Sequence, residues 1–232
     1  MPAELSSEHR GWSWLWGRVR AHAWFKVCIT VVLGVGFGVG YVTVQRFPIV
    51  TPRAFSLTGL DRAVAFEPGW IWVYESLVLI VNGVLWLCDD RSAIRRYAWS
   101  VAITSALCFV AFLVWPVSGP RPDVDVGPGL YSLVVMIDSP LNSFPSLHAG
   151  LLALAAMCAV RTLRTEQGAP VWWLWVPGSA LSVLILLATL FTKQHYAVDL
   201  VAGVGVAWGA GRWVWQGWEP TERDGRAFGS GR

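Results

Sequence analysis

Long apolar runs alternate with short polar connections along most of the chain. A helix that crosses a bilayer needs about 20 mostly apolar residues. Three stretches meet that length with no charged side chain: Val27–Gln45, Tyr97–Pro120 and Gln167–Thr192. Three more carry one or two titratable groups: Trp70–Cys88 holds Glu75, Ser146–Arg161 opens with His148, and Tyr196–Gln216 holds Asp199 and Arg212. No internal repeat or heptad seam interrupts the series. The pattern predicts an all-α integral membrane fold, a six-transmembrane-helix bundle over residues 24–216. An N-terminal arm, 1–23, lies before it in the cytoplasm or at the membrane interface, and a flexible C-terminal tail, 217–232, follows. An even number of spans places both termini on one side.

The longest connection is the outer loop 119–145. Its five prolines (Pro120, Pro122, Pro128, Pro140 and Pro145) exclude a regular helix through the whole loop. Its apolar piece, 130–137, is expected to fold back onto the membrane surface or the bundle. Long connections of this kind are often functional.

Composition agrees with burial in lipid. Hydrophobic residues make up 55% of the chain and charged ones 14%, against about 45–50% and about 25% in soluble domains. Intrinsic disorder needs the opposite balance, and a net charge of +3 is too small for a nucleic-acid-tracking surface. With the N-terminus inside, the cytoplasmic segments hold 13 Lys and Arg residues and the outer ones 5. The asymmetry predicts a plasma-membrane protein with both termini cytoplasmic. No cleavable signal is expected, because Glu4, Glu8, Arg10, Arg18 and Arg20 interrupt the first 23 residues. Of the 16 Trp residues, nine lie near predicted helix ends, as an interfacial belt would. Cys28, Cys88, Cys108 and Cys158 read as small apolar side chains.

Three polar clusters remain: Gly119-Pro-Arg121-Pro122, Phe144-Pro145-Ser146-Leu147-His148, and Lys193-Gln194-His195-Tyr196-Ala197-Val198-Asp199. Six helices put all three at one membrane face, the extracytoplasmic one. A sixth helix that began at or before His195 would set His195 and Asp199 one turn apart. Asp199 would then accept a hydrogen bond from one ring nitrogen and leave the other free to attack an electrophile. His148, from another helix, is placed to protonate a leaving group. Arg121 and Lys193 suit phosphate oxygens. Ser146, at a helix N-terminus, either binds the same anion or caps the helix. Together these groups meet the needs of in-line displacement at a phosphate ester. No metal-ligand spacing is present, so no metal or cofactor is expected. Glu75 is an intramembrane carboxylate with either a structural partner or a substrate or proton role. Asp61, Asp123, Asp125 and Asp138 are expected to be solvated loop residues, and His9 and His22 lie on the opposite side.

The clusters resemble the motifs of the type 2 phosphatidic acid phosphatase superfamily, Lys-x6-Arg-Pro, Pro-Ser-Gly-His and Ser-Arg-x5-His-x3-Asp, over about Val114 to Gly203. Here Arg121-Pro122 keeps the first, with Val114 at the Lys position. Pro145-Ser146-Leu147-His148 keeps the second, with Leu for Gly. His195 and Asp199 keep the third, with Ala188 and Thr189 for Ser-Arg. The resemblance implies a phosphohistidine on His195, supported by Asp199, with His148 as general acid. Lys193 is a candidate replacement for one missing cation. The variant forms look like the branch with inositol phosphorylceramide synthase-like phosphotransferases and some bacterial lipid phosphatases. The leading expectation is a lipid phosphatase that acts on a membrane lipid phosphate or pyrophosphate. Transfer to a lipid or polyol hydroxyl acceptor is the second. A non-enzymatic membrane protein with a degenerate site is the third.

Overall fold

A computed structural model describes residues 12–47, 49–164 and 171–218. A short helix α1 (12–20) leads into α2 (Ala23–Arg46). After strand β1 (Arg53–Ala54) and helix α3 (Gly59–Ala63), a 3-10 turn at Pro68–Trp70 opens α4 (Ile71–Glu75) and α5 (Leu77–Leu87). Next come α6 (Arg91–Val114), β2 (Val117–Ser118), α7 (Leu130–Ile137), α8 (Leu147–Thr162), α9 (Trp172–Phe191) and α10 (Ala197–Val214).

All six predicted segments are helical. Four stretches are long and apolar enough to cross a membrane: Ala23–Arg46, Pro68–Leu87, Arg91–Val114 and Trp172–Phe191. Helix α8 is apolar but has 16 residues, and α10 has 18 and carries Asp199 and Arg212. The third and second segments differ from the sequence reading in ways that bear on the site. The third helix begins at Arg91, six residues earlier than expected, because the Asp90 side chain caps it by accepting from the Ser92 and Ala93 N–H groups at 3.2 and 2.9 Å. It ends at Val114, since Pro116 and Pro120 cannot continue it. The second segment is interrupted at Ser76, whose hydroxyl donates to the Val73 carbonyl at 2.6 Å. The break lies directly after Glu75.

The core forms where α6, α8 and α10 meet. Tyr97, Ile94, Cys108 and Phe112 of α6 pack with Leu151, Leu154, Ala155 and Cys158 of α8 and Ala207 of α10. Cys88, Cys108 and Cys158 are buried as small apolar side chains, whereas Cys28 is exposed. Helix α2 has the reverse character: Val31, Val32, Val35 and Val39 are apolar and exposed, which suits a lipid-facing surface. At the end of the bundle opposite the three motifs, Arg18 of α1 donates to the Leu87 and Thr162 carbonyls at 2.9 and 3.1 Å and pairs with Asp89 at 3.1 Å. Residues 1–11 of the expected arm and 219–232 of the expected tail lie outside the described residues.

The loop 119–145 is less open than its prolines suggested. Its apolar piece forms the whole of α7, and Tyr131 there packs with Ile71 and Tyr74 of α4. The parallel pair β1–β2 ties the segment after α2 to the segment after α6. Gly119 N–H donates to the Pro140 carbonyl at 2.9 Å, and Ser143 N–H to the Val117 carbonyl at 3.3 Å. These bonds draw the end of the loop against β2 and bring Ser143 to the start of α8.

Candidate active site

The helix caps decide the geometry of the site. Helix α10 begins at Ala197, after His195, so His195 and Asp199 do not share a helical face as the sequence reading supposed. Asp199 is the third residue of α10, and its Oδ2 turns back to accept the Tyr196 N–H at 2.8 Å, forming a capping box. The same oxygen accepts a hydrogen bond from the Ser143 hydroxyl. His195 Nδ1 stands 3.6 Å from Asp199 Oδ2, too far for a hydrogen bond, and 2.9 Å from the Ser143 carbonyl oxygen. A carbonyl only accepts, so Nδ1 carries a proton, and in the neutral ring this leaves the lone pair on Nε2. Orientation of His195 is therefore corrected: Ser143 fixes the ring through its carbonyl, and Asp199 holds Ser143 through the hydroxyl. Asp199 is fully buried and His195 is 5% exposed.

His148, on the first turn of α8, stacks on Tyr74 with ring centroids 4.0 Å apart. Its ring lies 5.7 Å from that of His195. Both histidines line a cavity of about 670 Å³ that runs into the bundle between α2, α5, α6 and α8. The walls are apolar, with Leu33, Phe37, Val81 and Leu151 among them, and the end near the histidines is polar, with Tyr41, Asp138, Asn142 and Gln194. Its volume is within the usual range of small-molecule sites. Glu75 also lines it, and no Lys or Arg does among the described residues.

The two predicted phosphate-binding cations are placed differently from the sequence reading. Arg121 is held from three sides: Nε donates to Gln194 Oε1, Nη1 to the Asp138 carbonyl and Nη2 to Asp138 Oδ2, each at 2.7 Å. It does not line this cavity but a second, smaller one. Lys193 Nζ donates to the Asp61 and Val64 carbonyls at 2.7 and 2.6 Å. These bonds complete the C-terminal end of α3, so Lys193 anchors the segment between α2 and α4. Lys193→Met is expected to destabilise the protein by about 1–3 kcal/mol through the unpaired carbonyls, with KM unchanged within about twofold. A thermal melt beside initial rates checks this. Ser146 is fully buried and caps α8, its Oγ accepting the Ala149 N–H at 3.4 Å. It does not line the cavity.

Two aspartates read as solvated are not. Asp138 accepts from Tyr41 at 2.6 Å, Gln45 at 2.7 Å and Asn142 at 2.8 Å, besides Arg121. Asp61 Oδ2 accepts from Thr58 and Oδ1 from the Ala197 N–H at 2.8 Å, which joins α3 to the start of α10. Burial pushes the Asp61 carboxyl up, but the Thr58 and Ala197 hydrogen bonds and the Lys193 charge outweigh it and hold the group below its ordinary value. A depressed carboxyl stabilises the fold above its unfolded pKa, and that stability is lost as pH falls through the folded value. The amide-exchange protection factors of residues 59–64 are therefore expected to hold from pH 7 to 5 and to fall only below about pH 4.

Sequence reasoning missed Ser143, Tyr74, Asp138 and Gln194. Ser143 and Gln194 sit beside motif residues, which is a usable signal. Asp138 gave none, since Tyr41 and Gln45 lie on α2, far away in the chain. Among the described residues no three His, Cys, Asp or Glu side chains converge as metal ligands would.

A family model for the PAP2 superfamily matches residues 70–213, from the 3-10 turn before α4 through most of α10. The chain belongs to the PAP2 superfamily, that of the type 2 phosphatidic acid phosphatases, as its motifs indicated. Membership supports a phosphatase- or phosphotransferase-type activity. Comparison with curated proteins gave no match. Helix α2 lies outside the matched residues.

Proposed function

We propose that the protein is an integral-membrane lipid phosphatase that hydrolyses a lipid phosphate or pyrophosphate through a phosphohistidine on His195. The observation that carries this reading is the His195 ring, with Nδ1 tied to the Ser143 carbonyl and Nε2 free, beside His148 in a largely apolar cavity. The Nε2 lone pair attacks phosphorus in line with the bond to the leaving oxygen. As the P–N bond forms and the P–O bond breaks, protonated His148 gives its proton to the leaving oxygen. Water then attacks the phosphohistidine and passes its proton to His148, and the P–N bond breaks to release inorganic phosphate. Asp199 acts through Ser143, keeping the ring oriented and its charge balanced when Nε2 is substituted.

The six helical segments, 24–216, form the catalytic domain in this reading. Both termini face the cytoplasm, and the two histidines open to the outer leaflet of the plasma membrane. The bilayer supplies the substrate. Support comes from the Lys and Arg asymmetry and from the shared position of His148, His195 and Asp199 at one end of the helices.

The test uses the full-length chain in detergent micelles with a panel of lipid monophosphates and pyrophosphates, with and without polyol acceptors. Inorganic phosphate release and an alkali-stable, acid-labile phosphoryl label on His195 are expected. A headgroup-labelled lipid formed only when acceptor is added would replace hydrolysis by transfer. A chain that formed no label and turned over no member of the panel would overturn the enzymatic reading.

A further inference from the structure

We infer that Gln194 presents the hydrogen-bond donor that holds a phosphoryl oxygen beside His195, and that Arg121 is the positioning residue that orients it. This rests on the phosphohistidine reading above.

An amide has an accepting oxygen and a donating nitrogen, and which of them points where is set by its partners. Here one partner leaves no freedom. Arg121 Nε carries only a donor, and its partner at 2.7 Å is Gln194 Oε1. The amide nitrogen must therefore occupy the other position. Gln194 is 4% exposed, and its Nε2 is buried without a hydrogen-bond partner. A buried, unpaired donor is destabilising and calls for an explanation. Gln194 lines the same cavity as His148 and His195 and directly precedes His195 in the chain.

The backbone is built to hold it there. The Gln194 N–H donates to the Thr189 carbonyl at 3.1 Å. Across from it, Gly119 approaches so closely that a Cβ there would stand 2.7 Å from the Gln194 carbonyl oxygen. Arg121 itself is fixed by Asp138, and Asp138 by Tyr41, Gln45 and Asn142. The chain of contacts ends in one neutral, buried and unpaired N–H donor on a residue that lines a cavity that no Lys or Arg lines among the described residues. A fixed donor next to the nucleophile suits an anion whose charge grows during displacement. The cation of the Arg-Pro motif thus reaches the phosphate through an amide.

Three full-length variants test this: Gln194→Glu, Gln194→Met and Arg121→Met. Glu at 194 keeps an oxygen for Arg121 and places a second, anionic oxygen where the donor stood. Orthovanadate affinity, read from the thermal-midpoint shift it induces, needs no knowledge of the lipid. Gln194→Glu is expected to weaken orthovanadate at least about 100-fold, with the ligand-free midpoint close to that of the unaltered chain. Gln194→Met is expected to weaken it about 10- to 100-fold and to lower kcat for phosphatidic acid in mixed micelles by about 10²–10³-fold. Adding Arg121→Met to Gln194→Met should cost nothing further, whereas independent contacts would add. Orthovanadate affinity in Gln194→Glu within threefold of the unaltered chain would overturn the inference, as would additive losses in the double variant. Full activity in His195→Asn would instead overturn the phosphohistidine reading.

Discussion

Changing His195 to asparagine should reduce turnover by on the order of 10⁴-fold or more, the usual scale for loss of a covalent nucleophile. Asparagine is chosen because its amide can still donate to the Ser143 carbonyl, 2.9 Å from Nδ1 in the native site. The buried pocket then keeps its partner, and the change removes Nε2 and little else. The fold should persist, with the thermal midpoint within a few degrees, since no buried group loses its hydrogen bond. Single-turnover measurements with a radiolabelled lipid phosphate should show neither a protein-bound label nor a burst. His148→Asn should behave differently. The nucleophile is retained there, so substrates with good leaving groups should still label the protein while those with poor ones lose rate. Equal losses on both substrate types would argue against a proton transfer from His148.

The second large effect is expected from Gly203→Ala. A Cβ at Gly203 would stand 2.0 Å from the Ser146 carbonyl oxygen and 2.9 Å from its carbon. Both are backbone atoms at the start of α8, so no side-chain rotation relieves the clash. The two helices must move apart at the point where Ser146 N–H donates to the Asp199 carbonyl at 2.9 Å. That contact joins the start of the helix carrying His148 to the helix carrying Asp199. Overpacking by one methyl group against a movable side chain costs about 1–3 kcal/mol. Against fixed backbone the loss should be at least about 3 kcal/mol, and activity should fall together with stability. Gly205→Ala on the same helix meets nothing within 4 Å and is the matched control. Equal thermal midpoints for the two variants would refute the close-approach account.

Much of this was legible in the chain. The apolar runs located all six helical segments because lipid burial demands length and low charge, which a hydropathy pattern records directly. The apolar piece 130–137 came out with its exact bounds as α7 for the same reason. Helix starts were less legible, because capping decides them. Asp90 moved α6 back by six residues, and the capping box at Asp199 placed the start of α10 after His195. That single cap changed the chemistry of the pair from a direct hydrogen bond to one relayed by Ser143. His148 and His195 could be paired from motifs alone. The positions of Arg121 and Lys193 could not, because each is fixed by groups far away in the chain, Asp138 and Gln194 for one, Asp61 and Val64 for the other. Residue type suggested the chemistry, and tertiary partners decided where each side chain lies.

Helix α2 lies outside the family-matched region, yet Leu33, Gly34, Phe37 and Tyr41 line the cavity and Gln45 reaches Asp138. His148, His195, Asp199 and Ser143 all come from the matched part. The reacting groups and one wall of the chamber around them thus belong to different parts of the chain. Leu33 and Phe37 on that wall can vary in bulk without touching the histidines, whereas Tyr41 and Gln45 hold Asp138. The width of the chamber, and with it the size of the molecule it admits, can change by substitution on a helix that carries none of His148, His195, Asp199 and Ser143.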